Sequence, residues 1–76
     1  MKKFLISCVA TFSSPKAAAW EEEASVSYRA SSLARAKEEA FRLISGEIEE
    51  MLAEMQDADN SIQVVAMTEI TVNEDV

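Results

Sequence analysis

The segment EASVSYRASSLARAKEEAF, residues 23–41, changes its apolar period halfway along. Ala24, Val26, Tyr28 and Ala30 alternate with Ser25, Ser27 and Arg29, the two-residue repeat of a strand with one buried face. Ser31 and Ser32 then offer hydroxyls that can cap the first free amides of a helix. From Leu33 the repeat is helical. Leu33, Ala36, Ala40, Phe41, Ile44, Ile48, Met51, Leu52 and Met55 fall in one broad stripe at about 100° per residue. The phase survives Gly46, so one helix over about residues 32–56 is expected, weakened there by up to about 1 kcal/mol relative to Ala. Lys37 falls inside the stripe, where its stem would lie at the sheet edge with the ammonium in water.

Upstream, Phe4, Ile6, Cys8, Ala10 and Phe12 alternate with Leu5, Ser7, Val9 and Thr11, which predicts a first strand. Ser13-Ser14-Pro15 ends it, and a loop through Lys16–Ala19 leads to a second, antiparallel strand. Its amphipathic part runs from about Ala24, with the alternation starting at Trp20. Downstream, Asp57-Ala58-Asp59-Asn60 closes the helix. A last strand follows, with Ile62, Val64, Ala66, Ile70 and Val72 on one face, and residues 73–76 read as a frayed acidic tail. A right-handed crossover from the second strand sets the third beside the first. The expected fold is α+β: a β-β-α-β chain with a three-stranded antiparallel sheet, order 2-1-3, and one long helix on one face.

Seventy-six residues make a single small domain, 1–76, that buries roughly 60% of its unfolded surface. One Gly, one Pro and 49% apolar residues argue for an ordered chain. Cys8 is the lone cysteine, which fits a reducing compartment, and a cytoplasmic location is expected. Met1-Lys2-Lys3, the apolar run to Phe12 and Ala17-Ala18-Ala19 imitate a secretory leader. The run before Cys8 is too short for one, and Lys16 stands where a cleavage region is neutral. No stretch approaches the ~20 apolar residues of a membrane span.

Charge is distributed unevenly. Residues 1–42 carry seven bases and five acids; residues 43–76 carry nine acids and no base. Six of the nine, Glu47, Glu49, Glu50, Glu54, Asp57 and Asp59, fall where the helix should end. The partial negative charge of a helix C-terminus disfavours them there by a few tenths of a kcal/mol each. Glu47, Glu50, Glu54 and Asp57 are spaced i, i+3, i+7, i+10, so they line one side of the helix over about 15 Å. Four or five phosphates of one DNA strand occupy the same length at ~3.4 Å each. Such a line suits a basic groove built for nucleic acid, with Glu21, Glu22 and Glu23 as a second acidic site beside Trp20. The net charge of −7 disfavours direct contact with nucleic acid or an anionic membrane.

Catalytic readings find little support. With no His there is no imidazole base, and a single Gly cannot build a phosphate-cradling loop. Zinc sites with nitrogen and sulfur ligands are ruled out by one Cys and no His. Neither an enzyme nor a cofactor or metal site is expected.

Residues 23–41 resemble a pattern common in small proteins of phages and mobile elements, in which a β-hairpin passes through a Ser/Thr cap into an Ala-rich helix and a last strand. The layout looks like that of some anti-CRISPR proteins and of a phage inhibitor of bacterial RNA polymerase. It contains no diagnostic motif, and no functional residue is carried over. What the resemblance implies is a small acidic inhibitor that blocks a nucleic-acid site on a host protein complex. The alternative is an interaction module that homodimerises through an edge strand or the open sheet face. There Leu5, Val9, Val65, Met67 and an exposed Trp20 would carry the contact.

Overall fold

The computed structural model describes Met1–Asp75. The elements are β1 (Lys2–Ser14), β2 (Ala17–Ala30), α1 (Leu33–Gln56), β3 (Gln63–Met67) and β4 (Thr71–Glu74). The class and the 2-1-3 order follow the alternation: β1 is central and antiparallel to β2 on one side and to β3 and β4 on the other. Phe4, Ile6, Cys8, Ala10 and Phe12 are all buried, so the even face of β1 forms the floor of the core. The molecule is elongated, 44 × 20 × 19 Å, because thirteen residues of β1 at about 3.4 Å each set its length.

The hairpin is tighter than the sequence suggests. Instead of a loop over Lys16–Ala19, β2 starts at Ala17 and pairs it with Ser14. Ser14 Oγ accepts the Lys16 amide at 3.1 Å, which closes the turn locally. Phe12 and Trp20, opposite one another, stack at 6.0 Å between centroids and extend the pairing almost to the turn.

The expected third strand is two strands in one row. Ala10 and Thr11 face Met67 and Ala66, but Phe12 faces Val64, so Val65 is an extra residue. Past Met67, Thr68 donates its amide to the Val9 carbonyl at 2.9 Å, and its Oγ1 accepts the Val9 amide at 2.9 Å. A side-chain hydroxyl thus replaces a ladder carbonyl. Regular pairing resumes with Ser7 opposite Thr71 and continues to Phe4 opposite Glu74. Each extra residue reverses which side chains face the core. Met67 therefore stands opposite Ala10 on the helix side and Ala66 opposite Thr11 on the open side, the reverse of the simple alternation.

Residues 73–75 are not a frayed tail. Asn73 and Glu74 belong to β4, and the Asp75 amide donates to the Lys3 carbonyl at 2.8 Å. Lys2 pairs with Glu74 and Lys3 with Asp75, each at 3.5 Å. Val76, the last residue of the expected tail, lies outside the described residues.

Helix α1 begins at the expected cap: Ser32 is extended, at φ −156° and ψ 163°, and its Oγ accepts the Arg35 amide at 3.3 Å. Ala36, Ala40, Ile44 and Ile48 are its buried face, and it packs most extensively on β2. The narrow stripe of Ala36 brings the helix close to Phe4 and Ala30, while Ile44 and Ile48 fill the wider space over Ile6, Cys8 and Phe12. Leu33 and Phe41, expected in the core, are 44% and 68% exposed. A three-row sheet is too narrow to cover the whole stripe, so Phe41 overhangs the β4 edge beside Lys37 and Ile70. On the helix surface Arg35 meets Glu38 and Arg42 meets Glu39, both at i, i+3 spacing.

The helix is unbroken at Gly46, and a Cβ placed there would meet nothing within 4 Å. Gly46→Ala is expected to raise stability by about 0.8 kcal/mol, or several degrees in Tm for a domain of this size. A thermal melt reads it, and an unchanged or lower Tm would contradict the open site.

Candidate functional site: an acidic flank on the helix

At 100° per residue, Glu47, Glu50 and Glu54 lie on the flank of α1 opposite Lys37 and Phe41. Lys37 and Phe41 line a groove against β4, so the acids occupy the flank on the β2 side. Asp57 is the C-cap that follows the last helical residue, and the last turn holds no base. Glu49, Glu50, Glu54 and Asp57 are exposed and Glu47 is half-buried. Among the described residues none of these five enters an ion pair. The neutralisation seen at Glu38 and Glu39, more than two helical turns earlier, does not recur here.

Asp59 differs from its neighbours. Its Oδ1 accepts the Ser61 amide at 3.0 Å and the Ser61 hydroxyl, and lies 3.9 Å from Lys16 Nζ. The carboxylate thus ties the α1–β3 turn together and holds it near the β1–β2 hairpin. It is structural rather than free for a partner. The Ser61 hydrogen bonds, with Lys16 and Ser14 nearby, hold its carboxyl below the usual carboxylate range. A depressed carboxyl stabilises the fold above the pKa it has when unfolded and loses that contribution as pH falls through its folded value. Wild type should therefore lose more stability than Asp59→Asn on going from neutral pH to below the ordinary carboxylate range. Urea melts at the two pH values check this; equal losses would mean that the turn does not depend on the charge.

Pleating divides the second acidic site. Glu22 faces Ala10 on the helix side, whereas Glu21 and Glu23 face Thr11 and Val9 on the open side. Only Glu22 shares a side with the helical acids, and its carboxylate accepts the Trp20 Nε1–H at 3.2 Å. Trp20 is half-buried and packed on the core. It acts as a cover for Phe12 rather than as a free anchor.

The apolar alternative is dispersed. Leu5 and Val9 do lie on the open face, but Ser25, Ser27 and Thr71 share it, with Ser7 and Thr71 hydrogen-bonded at 3.0 Å. Val65 sits at the bulge, 58% exposed, and Met67 and Trp20 belong to the helix side.

Among the described residues no three of His, Cys, Asp and Glu converge on a point that could hold a metal. Cys8 is buried in the core, and that burial pushes its thiol above the ordinary value. No helix is long and apolar enough to cross a membrane. The charge run after Arg42 was the signal for the acidic flank; Ser61, two residues on, is the local signal that sets Asp59 apart as a turn residue, whereas Lys16 reaches it only through the hairpin.

Comparison with protein-family models, with curated proteins and with solved structures gives no match to this chain.

Proposed function

We propose that this protein is a non-enzymatic inhibitor, encoded by a phage or mobile element, that binds a host nucleic-acid-handling complex such as a CRISPR effector or an RNA polymerase. Its acidic helix flank occupies a basic groove that would otherwise receive nucleic acid. The observation that carries this reading is the flank itself: Glu47, Glu50, Glu54 and Asp57 stand along one side of α1 without a base, whereas Glu38 and Glu39 earlier on the same helix are each paired with an arginine. Glu49 broadens the line, and Glu22 lies on the same side of the sheet as the helix. Glu21 and Glu23, on the opposite side of the sheet, are outside this contact, and Asp59 supports it only by fixing the turn.

The mechanism is competition, steric and electrostatic. A regular helix spaces the carboxylates rigidly, so little side-chain or backbone ordering is needed on binding. Complementary charge speeds encounter and makes the contact sensitive to salt.

A tagged pull-down from a bacterial lysate, washed at low and high salt, tests the reading. The expected result is capture of a DNA- or RNA-binding complex that elutes as salt rises. Capture that survives high salt, or capture of no such complex, would count against an acidic-groove mechanism.

A further inference from the structure

The two edges of the sheet differ. The β3–β4 edge carries an extra residue at Val65 and is interrupted over residues 68–70, irregularities that keep one sheet edge from pairing with another. The β2 edge is fourteen residues long and keeps one register with β1 from Ala30 to Trp20. Between Ala24 and Ala30 it holds no Pro and no bulge, and of the charges that can also blunt an edge only Arg29.

The register shows which backbone groups are free. Val9 directs both its amide and its carbonyl toward Thr68, and the Lys3 carbonyl bonds Asp75. Odd residues of β1 therefore bond the β3–β4 row and even ones bond β2. The even residues of β2 answer them, so the amides and carbonyls of Glu23, Ser25, Ser27 and Arg29 point outward from the sheet.

Arg29 adds a charge argument. Across the ladder it faces Lys3, a like charge, and Lys3 is already engaged with Asp75. Arg29 and Glu23 are both exposed, and among the described residues neither enters an ion pair.

We propose that β2 pairs antiparallel with β2 of a second copy about a two-fold axis at Val26, making one continuous sheet with both helices on the same face. In that register Glu23 faces Arg29 of the second copy at both ends and Ser25 faces Ser27. The outward groups of Glu23, Ser25, Ser27 and Arg29 form about eight main-chain hydrogen bonds. On the helix side Val26 meets its own copy and Ala24 meets Tyr28. Registers centred on Glu22 or Glu23 would instead set acids against acids. The inference does not depend on the acidic helix flank.

The test is sedimentation equilibrium of the full chain from about 1 μM to about 1 mM, the range of weak to moderate association. It is run beside amide exchange, on wild type, Arg29→Glu, Glu23→Arg and the double swap. Wild type is expected to form a dimer of 8.4 kDa chains, with the Glu23, Ser25, Ser27 and Arg29 amides protected more as concentration rises. Arg29→Glu and Glu23→Arg should each weaken the dimer at least tenfold, and the swap should restore it to within about threefold. Arg29→Glu removes the like-charge contact with Lys3, so its monomer should melt no lower than wild type. That separates lost pairing from lost folding. A chain that stays monomeric throughout, with the β2 amides protected only when another protein is added, would assign the edge to a foreign strand and overturn the proposal. A dimer that neither single reversal weakens would overturn it as well.

Discussion

Phe12→Ala should leave little folded protein in water at 25 °C. Phe12 is fully buried on the central strand, between Trp20 on β2 and Val64 on β3, in the same cluster as Ile44 and Ile48 of the helix. Truncating a buried Phe to Ala costs about 3–5 kcal/mol, from the lost transfer energy and the cavity left behind. A domain of this size has only about that much stability to lose. Trp20 also loses the ring on which it stacks, so the unfolding should appear in the fluorescence of the single Trp as well as in far-UV circular dichroism. Phe41→Ala is the matched control. At 68% exposure it should cost less than about 1 kcal/mol and leave a cooperative melt. If the two variants melted alike, the division of the helix stripe into covered and overhanging residues would be wrong.

Glu47→Lys/Glu50→Lys/Glu54→Lys should abolish partner binding while the fold becomes no less stable. Close charge pairs across interfaces couple by roughly 1.5 kcal/mol or more, so reversing three carboxylates should weaken binding by at least about a thousandfold. The effect on folding has the opposite sign. The C-terminal half of α1 presents acids to the negative end of the helix dipole, with no base in the last turn. A lysine at Glu54, in the last turn, removes a penalty of a few tenths of a kcal/mol, and those at the exposed or half-exposed positions 47 and 50 add no burial cost. Reversing Glu38 and Glu39, which are paired with Arg35 and Arg42, should disturb the helix surface but leave binding intact. The measurement is a binding titration of each variant against the captured complex, beside a thermal melt. Unchanged affinity in the triple variant would sink the acidic-flank mechanism. A loss matched by Glu38→Lys/Glu39→Lys would reduce it to an effect of net charge.

Set beside these expectations, the bare sequence carried the architecture. The alternation from Phe4 to Phe12 and from Trp20 to Ala30, the Ser32 cap and the helical stripe each specify a local conformation through a repeat of two or 3.6 residues. Strand order followed from connection geometry. The unbalanced acids after Arg42 were equally legible, because the number of charges and their spacing along a helix are properties of the chain alone.

Whatever depends on a non-local partner had to wait for the tertiary structure. The extra residue at Val65 and the Thr68 hydroxyl in the ladder decide which side of the sheet Met67 and Ala66 occupy, and no periodicity within the strand encodes them. Sheet width decides that Phe41 overhangs while Ile44 is covered. Lys2, Lys3 and Lys16 neutralise Glu74, Asp75 and Asp59, some forty to seventy residues away in sequence, and none of them reaches the acids of the helical flank. Sequence by itself determined conformation and total charge, which are local or additive. Only the fold decided which side chains share a face and which charges meet, because both are set by contacts between segments distant along the chain.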